Sequence, residues 1–245
     1  MADRCLLYYI TDRSHFPGDD RERRRALIAK IVEAACAQVD YIQLRERDLS
    51  TRDLETLARE ALVVMRNSAP LRTEKRERRS ELRTELRTEL RSELRAEPGT
   101  RLLINSRADV ALAAVADGVH LRADDLTPLE VRRVLEIAYR PLSTGHFLVA
   151  ASCHSHEDVK RAESEGADFV VFAPVFGKSS SPGTQPAGLV ALRDACEAKI
   201  PVFALGGITV ENAASCLKAR AAGIAGIRLF QENKIEDVVR ALRAL

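Results

Sequence analysis

Two sets of residues in this 245-residue chain have the types and spacing to bind phosphorylated compounds. The first is Gly206-Gly207, just ahead of a helix-forming stretch, with Gly226 near the last apolar run. Glycines let an anion approach backbone N–H groups, and a helix N-terminus favours negative charge. A plain tight turn would use the same pair. The second set is Arg45, Arg47 and Lys178, with the amides of Gln43 and Asn105. Guanidinium forks and amide groups suit a polyanion such as pyrophosphate. A structural ring of ion pairs would use the same residue types. Asp124 and Asp125 add carboxylates that suit Mg²⁺, which takes oxygen ligands and usually shares them with a phosphate.

Neighbouring residues narrow these sets. Arg45 and Glu46 are adjacent on a strand-like run, so they point to opposite faces. His120 and His154 read as packing or hydrogen-bonding residues rather than bases. His156 opens a helix and is expected to be exposed. Cys153 alternates away from Ser152 and His154, which argues against a Cys–His nucleophile pair.

Elements must hold these residues together, and the chain alternates strand and helix with a short period. Apolar, β-prone runs are 6–11, 41–45, 101–105, 118–121, 147–152, 169–173, 201–205 and 224–230. Helical spacing covers 23–39 and 51–65, and further helices begin near Ala108, Ser155, Leu189 and Ile235. Thr127, Pro128 and Glu130 form a capping box, and Thr209 is expected to cap the helix after Gly207. Eight strands and eight helices in strict alternation imply a parallel sheet closed into a single (β/α)₈ TIM barrel. A doubly wound sheet is the alternative, but no GxGxxG follows the first strand. In such a barrel the site forms at the C-terminal ends of the strands, commonly with a phosphate after strands 7 and 8. Both candidate sets fall there.

Composition sets further bounds. The net charge is +2, aromatics are 4 % and tryptophan is absent, which argues against a nucleic-acid binder. No apolar run reaches membrane-span length, and Leu6–Ile10 is too short for a signal peptide core. The five cysteines are scattered with no CxxC pair, pointing to a cytoplasmic protein without a zinc site.

Residues 71–97 differ from the rest. They hold nine basic residues and seven glutamates, so the whole net charge comes from this stretch. From Ser80 the pattern repeats every four residues, with Leu at 82, 86, 90 and 94. Leu, Glu and Arg favour a helix, but a four-residue period places Glu beside Glu and Arg beside Arg at i,i+4, where they repel. The stretch reads as a charged helical insertion between helix 2 and strand 3 of one domain. It is either an expansion without function or a docking helix.

Several short runs, in order, carry a family resemblance. They are Tyr9-Ile-Thr-Asp12, Gln43-Leu-Arg-Glu-Arg47, Leu103-Ile-Asn-Ser-Arg107, Ala116-Asp-Gly-Val-His-Leu121, Ser152-Cys-His-Ser155, Ala173-Pro-Val-Phe176 and Ala204-Leu-Gly-Gly-Ile208. Together they resemble the thiamine phosphate synthase/TenI superfamily over nearly the whole chain except 71–97. The resemblance implies a (β/α)₈ barrel, often homodimeric, that joins hydroxymethylpyrimidine diphosphate to a thiazole phosphate. The products are thiamine phosphate and pyrophosphate. It implies that Gln43, Arg45, Arg47 and Asn105 contact the pyrimidine diphosphate, that Ser152 contacts the diphosphate, and that Asp125 binds Mg²⁺. Gly206, Gly207 and Gly226 would hold the thiazole phosphate. Lys178 and Ser180 stand where the synthase pattern has Thr-x-Thr, and Lys178 would reach the pyrophosphate from a shifted position.

The chain also departs from that pattern. Ser106 replaces an Asp metal ligand, Ser181 a Lys, and Arg47 stands where Lys is usual. Arg228 is bulkier than the small residue expected. The TenI branch, a thiazole tautomerase, also lacks that Asp and carries Arg at the Arg47 position. It needs a proton-transferring His where Pro174 stands, so His120 or His154 would have to serve. Three readings follow: a synthase with a modified metal site, a TenI-like tautomerase, or a non-catalytic thiazole-phosphate-binding paralogue.

Overall fold

The computed structural model describes residues 4–68, 99–138, 146–177 and 185–245. Eight parallel strands close on themselves in chain order: β1 (Leu6–Ile10), β2 (Tyr41–Leu44), β3 (Arg101–Asn105), β4 (Gly118–Leu121), β5 (Leu148–Cys153), β6 (Phe169–Phe172), β7 (Val202–Ala204) and β8 (Gly223–Gly226). Closure is made by β8 on β1, with Tyr8 opposite Ala225. The (β/α)₈ barrel expected from the alternation is therefore the fold. Charged residues 71–97 fall between α2 and β3 in sequence, as expected, but their helical character lies outside the described residues.

Helices fill the connections: α1 (Asp20–Cys36), α2 (Thr51–Ser68), α3 (Ala108–Ala114), α4 (Pro128–Ala138), α5 (His156–Ser164), α6 (Gly188–Ala195), α7 (Ala213–Lys218), α8 (Arg228–Gln231) and α9 (Ile235–Arg243). Local chemistry sets many of their starts. Asp19 and Glu22 form a capping box, so α1 begins one turn earlier than its apolar spacing suggests. Thr127 and Glu130 form the expected box on α4, at 2.8 and 3.3 Å. Ser155 caps α5 with Asp158 as its reciprocal partner.

Three expectations are corrected. The run 224–230 is not one strand, because β8 stops at Gly226 and α8 follows. Gln231, the last residue of that extra helix, is a buried clamp. Its Nε2 donates to the Asp12 carbonyl at 2.7 Å, and its Oε1 accepts from Tyr9 Oη at 3.2 Å. The described residues thus hold nine α-helices rather than eight. Thr209 does not cap a helix: α7 starts at Ala213, and Thr209 N–H instead donates to Asn212 Oδ1. His156 is half-buried rather than exposed, and its Nδ1 is buried without a hydrogen-bond partner.

Strand alternation sorts the core into two shells. Leu7, Tyr9, Ile42, Leu44, Leu102 and Ile104 face outward and pack beneath the helices. Tyr8, Leu103, Phe169, Val171, Phe203 and Ala225 fill the barrel's interior. Four aromatic rings do most of that filling. Tyr8 meets Tyr41, Phe169 and Phe203 at centroid distances of 5.9, 5.6 and 5.8 Å. Small residues opposite make the room: a Cβ on Gly223 would lie 2.7 Å from the Phe203 ring. Each buried ring contributes about 1.5–3 kcal/mol relative to exposure.

Candidate active site

Above the aromatic layer, the C-terminal ends of β2–β5 present an amide-rich floor. Gln43 and Asn105 are inward-facing and buried, with Gln43 Nε2 donating to Asn105 Oδ1 at 2.7 Å. Asn105 Nδ2 donates in turn to Ser106 Oγ at 2.9 Å. The Oε1 of Gln43 is buried and has no partner. An unmade bond on a buried acceptor costs about 1–3 kcal/mol, so this atom calls for an N–H or O–H from a ligand.

A second part of the floor joins β1, β4 and β5. His120 is 2 % exposed and bonds Tyr8 Oη through Nδ1 at 3.0 Å and Ser152 Oγ through Nε2 at 2.8 Å. Burial, and then the nearby charge of Arg45, push its pKa from 6.5 down to about 3. The ring is therefore neutral at physiological pH. His120 is a hydrogen-bonding residue, as its type and position suggested. Tyr8 was missed in the sequence, where it reads as one more apolar strand residue. Its inward parity with Leu6 and Ile10 was the available signal.

Arg45 and Glu46 part company as alternation requires. Arg45 sits half-buried at the mouth, with Nη1 3.3 Å from Asp12 Oδ2. Glu46 turns away and is buried, accepting from Thr11 Oγ1 at 2.6 Å and from Arg13 N–H at 3.0 Å. Burial pushes its carboxyl pKa up, against the hydrogen bonds from Thr11 and Arg13. Arg13 forks between Asp20 and Asp48, at 2.9 and 2.6 Å. Glu46 and Arg13 thus fix the mouth without facing it. Arg47 is exposed beyond Arg45. Lys178, Ser180 and Ser181 lie outside the described residues.

His154 is exposed at the end of β5, with its Nδ1 2.6 Å from the Ala173 carbonyl. With Nδ1 turned to that carbonyl, Nε2 has no hydrogen-bond partner among the described residues. Cys153 is buried in the outer shell, away from His154 as expected, and burial pushes its thiol up to about 12. It is no nucleophile. All five cysteines are free.

Asp125 shares a small cavity of about 50 Å³ with Ser152. One carboxylate oxygen accepts the Arg122 N–H at 2.7 Å. Asp124 is exposed and pairs with Arg122 Nη2 at 2.6 Å. Among the described residues no three His, Cys, Asp or Glu side chains gather to cage a metal. One carboxylate beside a polyanion subsite fits only an ion carried in by a phosphorylated substrate, as Mg²⁺ commonly is.

The glycines lie on the opposite side of the mouth. A cavity of about 180 Å³ is lined by Gly206, Gly207, Gly226, Arg228 and His15 among others. Gly207 has φ +62°, and a Cβ there would lie 2.7 Å from the Gly177 carbonyl oxygen. The turn and the open cavity are thus two consequences of one glycine pair. His15 and Arg228 bring cationic or hydrogen-bonding groups to the cavity wall; the sequence marked Arg228 as bulkier than expected near this strand, whereas His15 was not assigned there.

These features define a (β/α)₈ barrel whose mouth carries an amide- and arginine-lined region and, apart from it, a glycine-lined cavity. The family model for thiamine monophosphate synthase matches residues 70–230. A putative thiamine-phosphate synthase 2 of Aquifex aeolicus is 37 % identical over 227 residues, covering 92 % of this chain and 97 % of that one. The thiamine-phosphate synthase of Methanoculleus marisnigri is 33 % identical, covering 97 % and 93 %. A solved thiamine phosphate pyrophosphorylase from Pyrococcus furiosus superposes with a TM-score of 0.69 at 26 % identity, covering 99 % and 95 %. The chain belongs to the thiamine monophosphate synthase family.

Proposed function

We propose that this protein is a thiamine-phosphate synthase that condenses hydroxymethylpyrimidine diphosphate with a thiazole phosphate. The observation that carries this reading is the buried, unpartnered Gln43 Oε1 on the amide floor, beside the Arg45 cation and across the mouth from the glycine cavity. An aminopyrimidine ring supplies the N–H that this acceptor lacks. Its diphosphate would lie toward Arg45, Arg47 and Ser152, and the charge of Lys178, which lies outside the described residues, suits the same anion. The thiazole phosphate would sit on Gly206, Gly207 and Gly226, with His15 and Arg228 nearby.

The reaction requires the methylene C–O bond to break, with its electron pair leaving on pyrophosphate. The thiazole nitrogen then gives its lone pair to the methylene carbon. No protein nucleophile is needed, so the side chains orient the two substrates and stabilise charge on the leaving group. Asp125 would hold Mg²⁺ jointly with the diphosphate, and the ion would neutralise part of the leaving group's charge. Two copies per assembly and a cytoplasmic setting belong to the same reading. Sedimentation velocity measures the first.

A second reading is favoured by one observation. His154 Nδ1 is held by the carbonyl of Ala173, the residue before Pro174, which leaves the Nε2 lone pair as the base that a thiazole tautomerase would need. The deciding experiment supplies purified protein with both substrates and Mg²⁺ and follows thiamine phosphate by its oxidised fluorescence. Mg²⁺-dependent product at enzymatic rates is expected. No product, with proton exchange on a thiazole phosphate, would replace the synthase with the tautomerase. Binding of thiazole phosphate with neither activity would leave a non-catalytic paralogue.

A further inference from the structure

The Tyr8–His120–Ser152 chain has a direction. Tyr8 is fully buried among Tyr41, Phe169 and Phe203, and its hydroxyl meets one hydrogen-bonding atom among the described residues, His120 Nδ1. A neutral imidazole carries a single N–H. Were it on Nδ1, the Tyr8 proton would be buried with no acceptor, at about 1–3 kcal/mol. With the proton on Nε2, every buried group is satisfied: Tyr8 Oη–H donates to Nδ1, and Nε2–H donates to Ser152 Oγ. The Ser152 oxygen is then occupied as an acceptor. Its own proton has no acceptor among the described residues, and Ser152 is only half-buried at the mouth.

We propose that Tyr8 and His120 are positioning residues that fix Ser152 as a hydrogen-bond donor toward the diphosphate of the substrate. The arrangement selects an anion, since a ligand donor would meet the Ser152 proton rather than its lone pair. It also keeps that selection constant across neutral pH. Charging His120 would require a proton on Nδ1, where it would face the Tyr8 hydroxyl proton. Arg45 is the charged group at the mouth that faces the ring, and it opposes that protonation as well.

The proposal rests on the diphosphate reading above, and its test lets either fail alone. Long-range ¹H–¹⁵N spectra of the histidine rings report the tautomer without substrate. The wild type is expected to show His120 protonated on Nε2 and bare on Nδ1. Tyr8→Phe keeps the ring and removes its donor. It is expected to release His120 into a mixture of tautomers and to weaken binding of inorganic pyrophosphate, with Mg²⁺ present, about fivefold by calorimetry. In a Ser152→Ala background the same change is expected to cost no further affinity, because the hydroxyl it orients is gone. An Nδ1–H tautomer in the wild type overturns the proposal. So does a Tyr8→Phe penalty of equal size with and without Ser152. A wild type with the Nε2–H tautomer that binds no pyrophosphate supports the hydrogen-bond chain and overturns the diphosphate reading.

Discussion

The two ends of the barrel solve the same problem in opposite ways. At the N-terminal ends of the strands, three aspartates tie neighbouring strands together. Asp40 accepts the Leu7 N–H at 2.8 Å, Asp117 the Leu102 N–H at 2.8 Å, and Asp168 the Val149 N–H at 2.6 Å. Each sits just before an even-numbered strand and reaches the strand preceding it. Arg4 and Arg243 neutralise Asp40, and Arg132 neutralises Asp168, with His146 Nε2 a further hydrogen-bond partner of that carboxylate. At the C-terminal ends, Gln43 keeps a buried acceptor without a partner and Ser152 keeps a spare proton. Polar groups whose partners lie within the chain stabilise the fold. At the mouth, an incomplete polar group is available to a ligand, whereas Thr100 Oγ1, His156 Nδ1 and Arg243 Nε are buried and unpartnered away from it.

The largest effect expected from breaking that contrast is at the mouth. Arg45→Ala should lower kcat/KM a hundredfold or more while leaving the thermal midpoint within a few degrees, because it removes charge stabilisation of the leaving group. Steady-state kinetics beside a melting curve reads both. A loss confined to stability would place Arg45 in a structural ion pair with Asp12.

Asp168→Ala should do the reverse. It orphans the Val149 N–H and removes the partner of Arg132 and His146, costing about 2–3 kcal/mol in urea unfolding. Activity per folded molecule should not change. A fall in kcat/KM beyond the folded fraction would mean that the two ends are coupled.

His120 lies between the ends and shows itself in acid. Its folded pKa of about 3 lies below the unfolded 6.5, so between those values the unfolded chain binds a proton that the folded chain does not. The stability this contributes is complete above about pH 6.5. It is lost as pH falls toward 3, by up to about 1.4 kcal/mol per pH unit. His120→Gln should make the dependence of unfolding free energy on pH shallower by one proton between pH 4 and 6. An unchanged slope would mean that the ring is charged in the folded state.

The smallest effect is expected from deleting residues 80–96. If the repeat is a neutral expansion, kcat/KM should stay within twofold of the parent. A tenfold loss would make it part of the enzyme's working structure.

Much of this was readable in the residues, unevenly. Short apolar runs separated by helical spacing gave eight strands and their closure, since short parallel strands buried on both faces have few other solutions. The triplet Val39-Asp40, Ala116-Asp117 and Ala167-Asp168 was visible as a recurring apolar–Asp step before strands. Its meaning needed the register, which sets each carboxylate against an N–H of the preceding strand. Ile227-Arg-Leu-Phe230 reads as strand because it is apolar, yet it turns into α8 once Gly226 has met Leu229: a Cβ on that glycine would lie 2.9 Å from the Leu229 Cβ. Asp125 and Ser152 are 27 residues apart, and the pairing of β4 with β5 brings them to one cavity.

The sequence by itself determined the architecture, the end of the barrel where the candidate site lies, and the family. Those follow from local periodicity, from strand alternation and from residue types that survive any rearrangement of contacts. Only the tertiary structure decided which polar groups are spent. Glu46 is satisfied by Thr11 and Arg13, Gln43 is left short by one bond, and the tautomer of His120 is set by a tyrosine 112 residues away. Hydrogen-bond satisfaction is a property of neighbours in space, and a closed sheet assembles those neighbours from every strand of the chain.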